Sequence, residues 1–476
     1  MTLTEAEVPV PPSVGFYDET IRRVWCQSPK PEYKAEEQRY CMPGRCIPLM
    51  RPDVDLIVLP GNHGPTAEAW AVYKEILGLS DSQVVWTSGS LFNMDDDMCS
   101  ETVRTLETKM TEAAGARWLL LPYCPTPNFY RWASPLVSRL DGAASVFGET
   151  SEWLAKYGDK GLLHRKMSSL GTPCMIEEID PTIAVPAGYV CETVDELLEA
   201  RKLLADVEHV CIKPLAGATG VGIVLKPSQK DLQEYNFHMG PVSLEEYLNL
   251  DRDERGEAIS PVLHYMGSQF CGNYMLDQIM LGTMYLGWQR TAVSEDFQRE
   301  ATRAMSAFLA HASPTSAGGV DFLSVDGKPL LVDINSGRFN GAHPPRLFHQ
   351  AHGPPGTNFY CWKLNKADIA ALNAAGVCTL RDVWRRMLEE DGLAFIPSTG
   401  AEGVFPLSAI DGLRLQFLAV GTDVDSLVSR MKALIASMCT SGNAGATEPG
   451  VVETKLVEPP ATCTTLPPPA ETNVAK

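Results

Sequence analysis

The segment GVDFLSVDGKPLLVDINSGRFNGAHP places three oxygen-bearing side chains on what reads as a single β-hairpin. Val320-Asp321-Phe322-Leu323 and Leu330-Leu331-Val332-Asp333-Ile334-Asn335 are apolar, β-branched runs, and Asp326-Gly327-Lys328-Pro329 between them has turn chemistry. Asp333 and Asn335 are two residues apart, so both project to one face. With Asp321 opposite on the neighbouring strand, three oxygens converge, a donor set that suits hard Mg2+, with Mn2+ as the alternative ion. About a hundred residues earlier, VCIKPLAGATGVGIVL has complementary chemistry. Val210 to Ile212 reads as a strand delivering Lys213, and Gly217, Gly220 and Gly222 follow on a loop before a second short strand. Glycines let backbone N–H groups approach polyphosphate oxygens that a Cβ would hold away, and the lysine adds a point charge.

Taken separately, a glycine turn after a strand also fits an ordinary hairpin, and acids flanking an Asp-Gly turn fit a solvated sheet edge. Their order along the chain resembles the ATP-grasp superfamily. Gly158-Asp159-Lys160 stands where biotin carboxylases and D-alanine–D-alanine ligases carry an early lysine that reaches the nucleotide phosphates, and Lys213 is then the second ATP lysine. A helix is expected over residues 194–204, ahead of the Lys213 strand. Glu245-Glu246-Tyr247-Leu248 resembles the hinge whose backbone meets adenine and whose acids hold ribose hydroxyls, although paired glutamates also suit a solvated helix face. The segments SPVLHY at 260–265, DQIM at 277–280, YLG at 285–287 and GAEGVFPL at 400–407 resemble peptide ligases of the pheganomycin-biosynthesis type. In that subgroup the metal strand reads acid-x-Asn-x-Arg, whereas this chain has one residue more before Arg338 and Asp in place of Glu at 333.

The fold implied is α/β (α+β ATP-grasp), and four units are expected. Residues 1–150 form an N-terminal pre-ATP-grasp domain with a parallel sheet. Residues 151–355 form the two-lobed nucleotide- and metal-binding domain, 356–440 a small C-terminal α+β unit, and 441–476 a disordered tail rich in Thr, Pro and Ala. In the first unit, strands over 54–62, 83–86 and 116–122 alternate with helices over 67–77 and 100–115, which implies parallel pairing. His63 then lies at a carboxyl strand end, where open α/β sheets bind ligands, though an ordinary turn histidine fits as well. Helices are expected over 366–374, 380–390 and 424–435. Asp95-Asp96-Asp97 reads as a solvated loop between helices, and Cys211 as a small core residue rather than a nucleophile.

Composition limits the alternatives. A formal net charge of −19 repels nucleic acid, and 45% hydrophobic residues with no long apolar run give no membrane span. Thirteen cysteines without a CxxC pair fit a reduced, cytoplasmic setting, and the start of the chain does not resemble a secretory or transit signal. The expected activity is an ATP-dependent carboxylate–amine ligase acting through an acyl-phosphate on a small acid, such as an amino acid, and an amine. Arg338 or Arg290 would clamp the reacting carboxylate or phosphoryl group. A small-molecule kinase and an inactive nucleotide-binding regulator are the alternatives, and a homodimer is left open.

Overall fold

The computed structural model describes residues 20–26, 45–61, 64–89, 91, 94–215, 222–254, 256–271, 274–281, 284–291, 293–364, 366–408 and 415–441. Its described strands form three sheets. The first is parallel throughout, with β1 (Arg22–Cys26), β2 (Leu56–Pro60), β3 (Val84–Thr87), β4 (Trp118–Pro122) and β5 (Ala144–Val146) in the order β3-β2-β1-β4-β5. The middle strand, β1, was not expected from the sequence, because RRVWC opens with two arginines. Its last three residues are nonetheless buried. Helices cover one face of this sheet, among them Asp96–Glu112 and Pro127–Arg139. Asp95 to Asp97 are not a loop between helices. Asp95 caps the first of those helices by accepting from Met98 N, and Asp96 and Asp97 fill its first turn, where carboxylates oppose the helix dipole favourably.

The second sheet has the order β6-β7-β10-β8-β9, from β6 (Arg165–Lys166), β7 (Gly188–Cys191), β8 (Val210–Pro214), β9 (Val224–Leu225) and β10 (Val242–Glu246). Its back is closed by the helix Val194–Leu203, whose Leu197 and Ala200 pack with Val210, Ile212, Val242 and Leu244. Alternation along β8 and β10 then turns Cys211, Lys213, Ser243 and Glu245 to the opposite face. Cys211 therefore stands on the same side as Lys213, not in the core as expected. Burial and the nearby Glu245 carboxylate push its thiol up to about 12, so it carries no thiolate at neutral pH.

The third sheet is the largest. β11 (Pro261–Met266), β12 (Gln269–Phe270), β13 (Leu276–Leu281), β14 (Met284–Arg290), β15 (Ala317–Val325), β16 (Lys328–Asn335), β17 (Asn358–Lys363), β18 (Gly403–Pro406) and β19 (Gln416–Gly421) run in the order β16-β15-β11-β13-β14-β17-β19-β18, with β12 on β11. Strands after residue 356 thus extend the sheet that holds the acids, because β17 pairs with β14. The helix Glu295–Ala312 covers the back of β11, β15 and β16. Ser294 caps it, and Phe297, Ala301, Met305 and Phe308 recur at helical spacing to pack on Leu263, Val320, Phe322, Leu331 and Ile334. No described helix is long and apolar enough to cross a membrane.

Candidate active site

A bulge in the β15–β16 hairpin decides which side chains reach the front of the large sheet. Asp321 pairs with Asp333, but Phe322 pairs with Leu331, so Val332 is left without a partner. In a regular strand Leu331 and Asp333 would share a face. The extra residue sends Leu331 into the core and Asp333 to the front, beside Asp321 and Asn335. The freed Val332 carbonyl accepts a 2.5 Å hydrogen bond from Lys213 Nζ, which arrives from the second sheet.

Lys160 opens a short turn of 3-10 helix, Lys160–Leu163, capped by Asp159, and its ammonium meets Asp333 Oδ2 at 2.6 Å. The two lysines and the three oxygen-bearing residues expected from the sequence therefore meet between the two sheets. Asn335 Nδ2 lies 3.2 Å from Asp321 Oδ2 and 3.4 Å from Asp333 Oδ2. Arg338 Nη2 donates to Asn335 Oδ1 at 3.2 Å. The extra residue ahead of Arg338 is absorbed at Gly337, whose φ of +74° favours glycine, and where a Cβ would lie 2.2 Å from Leu154 Cδ2. Beyond it Phe339 inserts among Trp25, Tyr123 and Phe147, fixing the loop to the first sheet.

The electrostatics follow from this crowding. Burial and the neighbouring Asp333 charge raise Asp321 to about 7, despite Lys160 and Lys213. Asp333 goes the other way, because the two ammonium groups outweigh its burial. Burial works against the Lys213 ammonium, yet Glu245, Asp333 and Asp321 together hold its pKa above the usual lysine value. Glu245 Oε1 stands 3.9 Å from Lys213 Nζ and 3.2 Å from His164 Nε2, and it also accepts from Ser243 Oγ. Lys213 and His164 overcome the burial of this carboxylate and depress its pKa.

A divalent cation fits these residues. Asp321 Oδ1 and Asp333 Oδ1 are buried with no hydrogen-bond partner among the described residues, and the donors are oxygens, the ligands that Mg2+ takes. Asn335 would present its Oδ1 by turning the amide, whose O and N positions are interchangeable in shape. Among the described residues, no three His, Cys, Asp or Glu side chains gather as a metal group, so the set consists of two acids and an amide.

Other expected residues lie elsewhere. Arg290 shares a row of the sheet with Asp321 through Leu276 and Val262, about 14 Å away at three strand spacings. It bonds Asn358 Oδ1 at 3.1 Å and stacks over Tyr274, so it does not stand beside the acids as a clamp. Strand alternation turns the Glu245 side chain inward to Lys213 and Glu246 to the other face. The N–H groups of Glu246 and Tyr247 are taken by Ala187 O and His209 O. Gly222 has φ +81°, and a Cβ there would lie 2.9 Å from Met239 Sδ and Pro214 Cγ, while Gly217, Gly220 and His63 lie outside the described residues. His164 and Gln278 were not foreseen as site residues. Gln278 Nε2 reaches Asp321 Oδ2 at 3.4 Å, and its signal was a polar residue between the apolar Leu276 and Met280 on one strand face.

No family model and no curated protein matches the chain. Solved structures do. The ADP complex of N5-carboxyaminoimidazole ribonucleotide synthetase is 12% identical over 91% of this chain and 99% of that one, with a TM-score of 0.52. N5-carboxyaminoimidazole synthase from Aspergillus clavatus, in complex with ADP and 5-aminoimidazole ribonucleotide, is 11% identical over 88% and 99%, at 0.50. Rhizobium etli pyruvate carboxylase is 12% identical over 87% of this chain and 37% of that one, at 0.52. At such identities the likeness is one of architecture, and on that ground the chain has the ATP-grasp fold.

Proposed function

We propose that the chain is an ATP- and Mg2+-dependent carboxylate–amine ligase, of the pheganomycin-type peptide-ligase kind, forming an amide between an amino acid or small peptide-like acid and an amine. The observation that carries this reading is the meeting of Lys160 and Lys213 with Asp321, Asp333 and Asn335 between two sheets. Two of the similar structures hold ADP, which adds support for a nucleotide at this place.

Joining a carboxylate to an amine is uphill because the carboxylate is a poor electrophile. In the proposed reaction a carboxylate oxygen attacks the γ-phosphorus, the bond to ADP breaks, and an acyl-phosphate forms. The amine then attacks the acyl carbon, loses a proton, and phosphate leaves. Lys160 and Lys213 exchange Asp333 and the Val332 carbonyl for phosphate oxygens, and Arg338 faces the migrating group. A bound Mg2+ on Asp321, Asp333 and Asn335 supplies charge neutralisation for the phosphates. Glu246 is assigned to the ribose hydroxyls.

The test is a screen of amino-acid pairs for ADP and phosphate release, with the product identified by mass, and Lys213→Ala and Asp333→Ala as controls. An amide product that appears only with both substrates and is lost in both variants is expected. A stable phosphate ester would make the protein a kinase instead, and no turnover with any pair would count against the ligase.

A further inference from the structure

Strand β14 carries a second bulge, whose chemistry the nucleotide site does not use. Ile279 pairs with Gly287, but Met280 pairs with Tyr285, so Leu286 is an extra residue. Three apart, Tyr285 and Trp288 would project to opposite faces of a regular strand. The bulge turns both to the same face, and their ring centroids stand 5.2 Å apart. That face is the one Asp321 occupies, since Trp288 pairs with Gln278, whose amide reaches Asp321.

Trp288 is 4% exposed. Its Nε1–H can only donate, and it has no hydrogen-bond partner among the described residues. Tyr285 Oη likewise meets no hydrogen-bond partner at bonding geometry among the described residues, with the Gln416 side chain beside it. Both polar atoms lie beside Gly341, which follows the Asp333–Asn335 strand by six residues. A Cβ there would lie 3.2 Å from Tyr285 Oη and 3.4 Å from Trp288 Nε1, so the glycine keeps the space in front of them clear.

The Lys363 ammonium stands 4.7 Å above the Tyr285 ring. Two buried donors without acceptors among the described residues mark a place for a hydrogen-bond acceptor brought by a ligand. A purely structural aromatic pair would gain from losing those polar atoms.

We infer that Tyr285 Oη and Trp288 Nε1 bind a carboxylate of the small-molecule substrate on the same sheet face as Asp321. The choice of a carboxylate over another anion rests on the ligase reading. The pair is a specificity element, and it takes an amino-acid-like ligand.

The test uses the full chain, with the standard L-amino acids, their carboxamides and inorganic phosphate as probes. Binding is followed by calorimetry and by ligand-induced thermal shift, with the non-hydrolysable nucleotide AMP-PNP and Mg2+ present. At least one amino acid is expected to bind the wild type while its carboxamide does not. Trp288→Phe and Tyr285→Phe should each weaken that binding about tenfold, the scale of one hydrogen bond to a charged group. Their ligand-free melting temperatures should equal or exceed the wild type's, and Gly341→Ala should weaken binding as well. The inference is overturned by an amide that binds as well as the acid, by phosphate binding more tightly than any carboxylate, by no probe binding at all, or by Phe variants that bind normally or melt early. Nucleotide binding by the wild type is measured separately. Its presence without carboxylate binding removes only this subsite, and its absence removes the ligase reading.

Discussion

Replacing Lys213 by methionine keeps the side-chain stem and deletes one charge from the pair it forms with Glu245. At 3.9 Å, with an effective dielectric of 20, that pair is worth about 4 kcal/mol of Coulomb energy. Relief of the buried ammonium's own desolvation returns part of this, so the variant should lose about 2 to 4 kcal/mol of stability at pH 7.5. The pH dependence has a definite sign. In the wild type Glu245 has a depressed pKa, so its contribution is present above the ordinary carboxylate value and is lost only as pH falls through the depressed one. Without Lys213, burial of Glu245 is opposed only by His164 and Ser243, and its folded pKa rises. Protonation in the folded state then recovers stability as pH falls, making the cost smaller at pH 5.5 than at 7.5. Urea denaturation at the two pH values measures this. Lys213→Met/Glu245→Gln, which removes both charges, should recover most of the loss while leaving nucleotide binding impaired. Wild-type stability in the single variant, or a loss that the second substitution does not reduce, would refute the placement of this lysine.

Three further outcomes follow from named contacts. Asp333→Asn should lower any ATP-dependent turnover at least about a hundredfold, read as ADP release at saturating Mg2+, since it removes the partner of Lys160 and half of the acid pair. Gly318→Ala would place a Cβ 2.1 Å from Tyr265 Oη in the buried back of β15, and chemical denaturation should show a loss of about 2 kcal/mol or more. Phe308→Ala should cost about 3 to 5 kcal/mol in the same assay, because this ring is fully buried between its helix and the acid-bearing strands.

The chemistry of Asp321, Lys213 and the Asp333–Asn335 pair was legible because each rides on a strand, where residues two apart share a face. The helices Lys366–Ala374 and Val194–Leu203 were readable from their periodicity to within a residue at either end. What stayed hidden depends on tertiary pairing. The strand Arg22–Cys26 has too short and too charged a signal, and only its position between two other strands buries it. The bulges at Val332 and Leu286 arise from cross-strand register, and they decide where Leu331, Asp333 and Tyr285 point. Glu245 resembled a hinge acid, but strand alternation hands it to Lys213. Arg290 has the right chemistry and sits three strands too far across the sheet.

On the proposed reading, Lys160 from a 3-10 turn and Lys213 from the second sheet hold a single metal-loaded nucleotide together with the carboxylates of the large sheet. Titrating ATP with and without Mg2+ into the wild type, Lys160→Met/Lys213→Met and Asp321→Asn/Asp333→Asn tests it directly. The expected result is metal-dependent binding by the wild type, loss of binding in the lysine pair under both conditions, and loss of only the metal dependence in the aspartate pair. Equal ATP affinity in all three proteins would contradict the account.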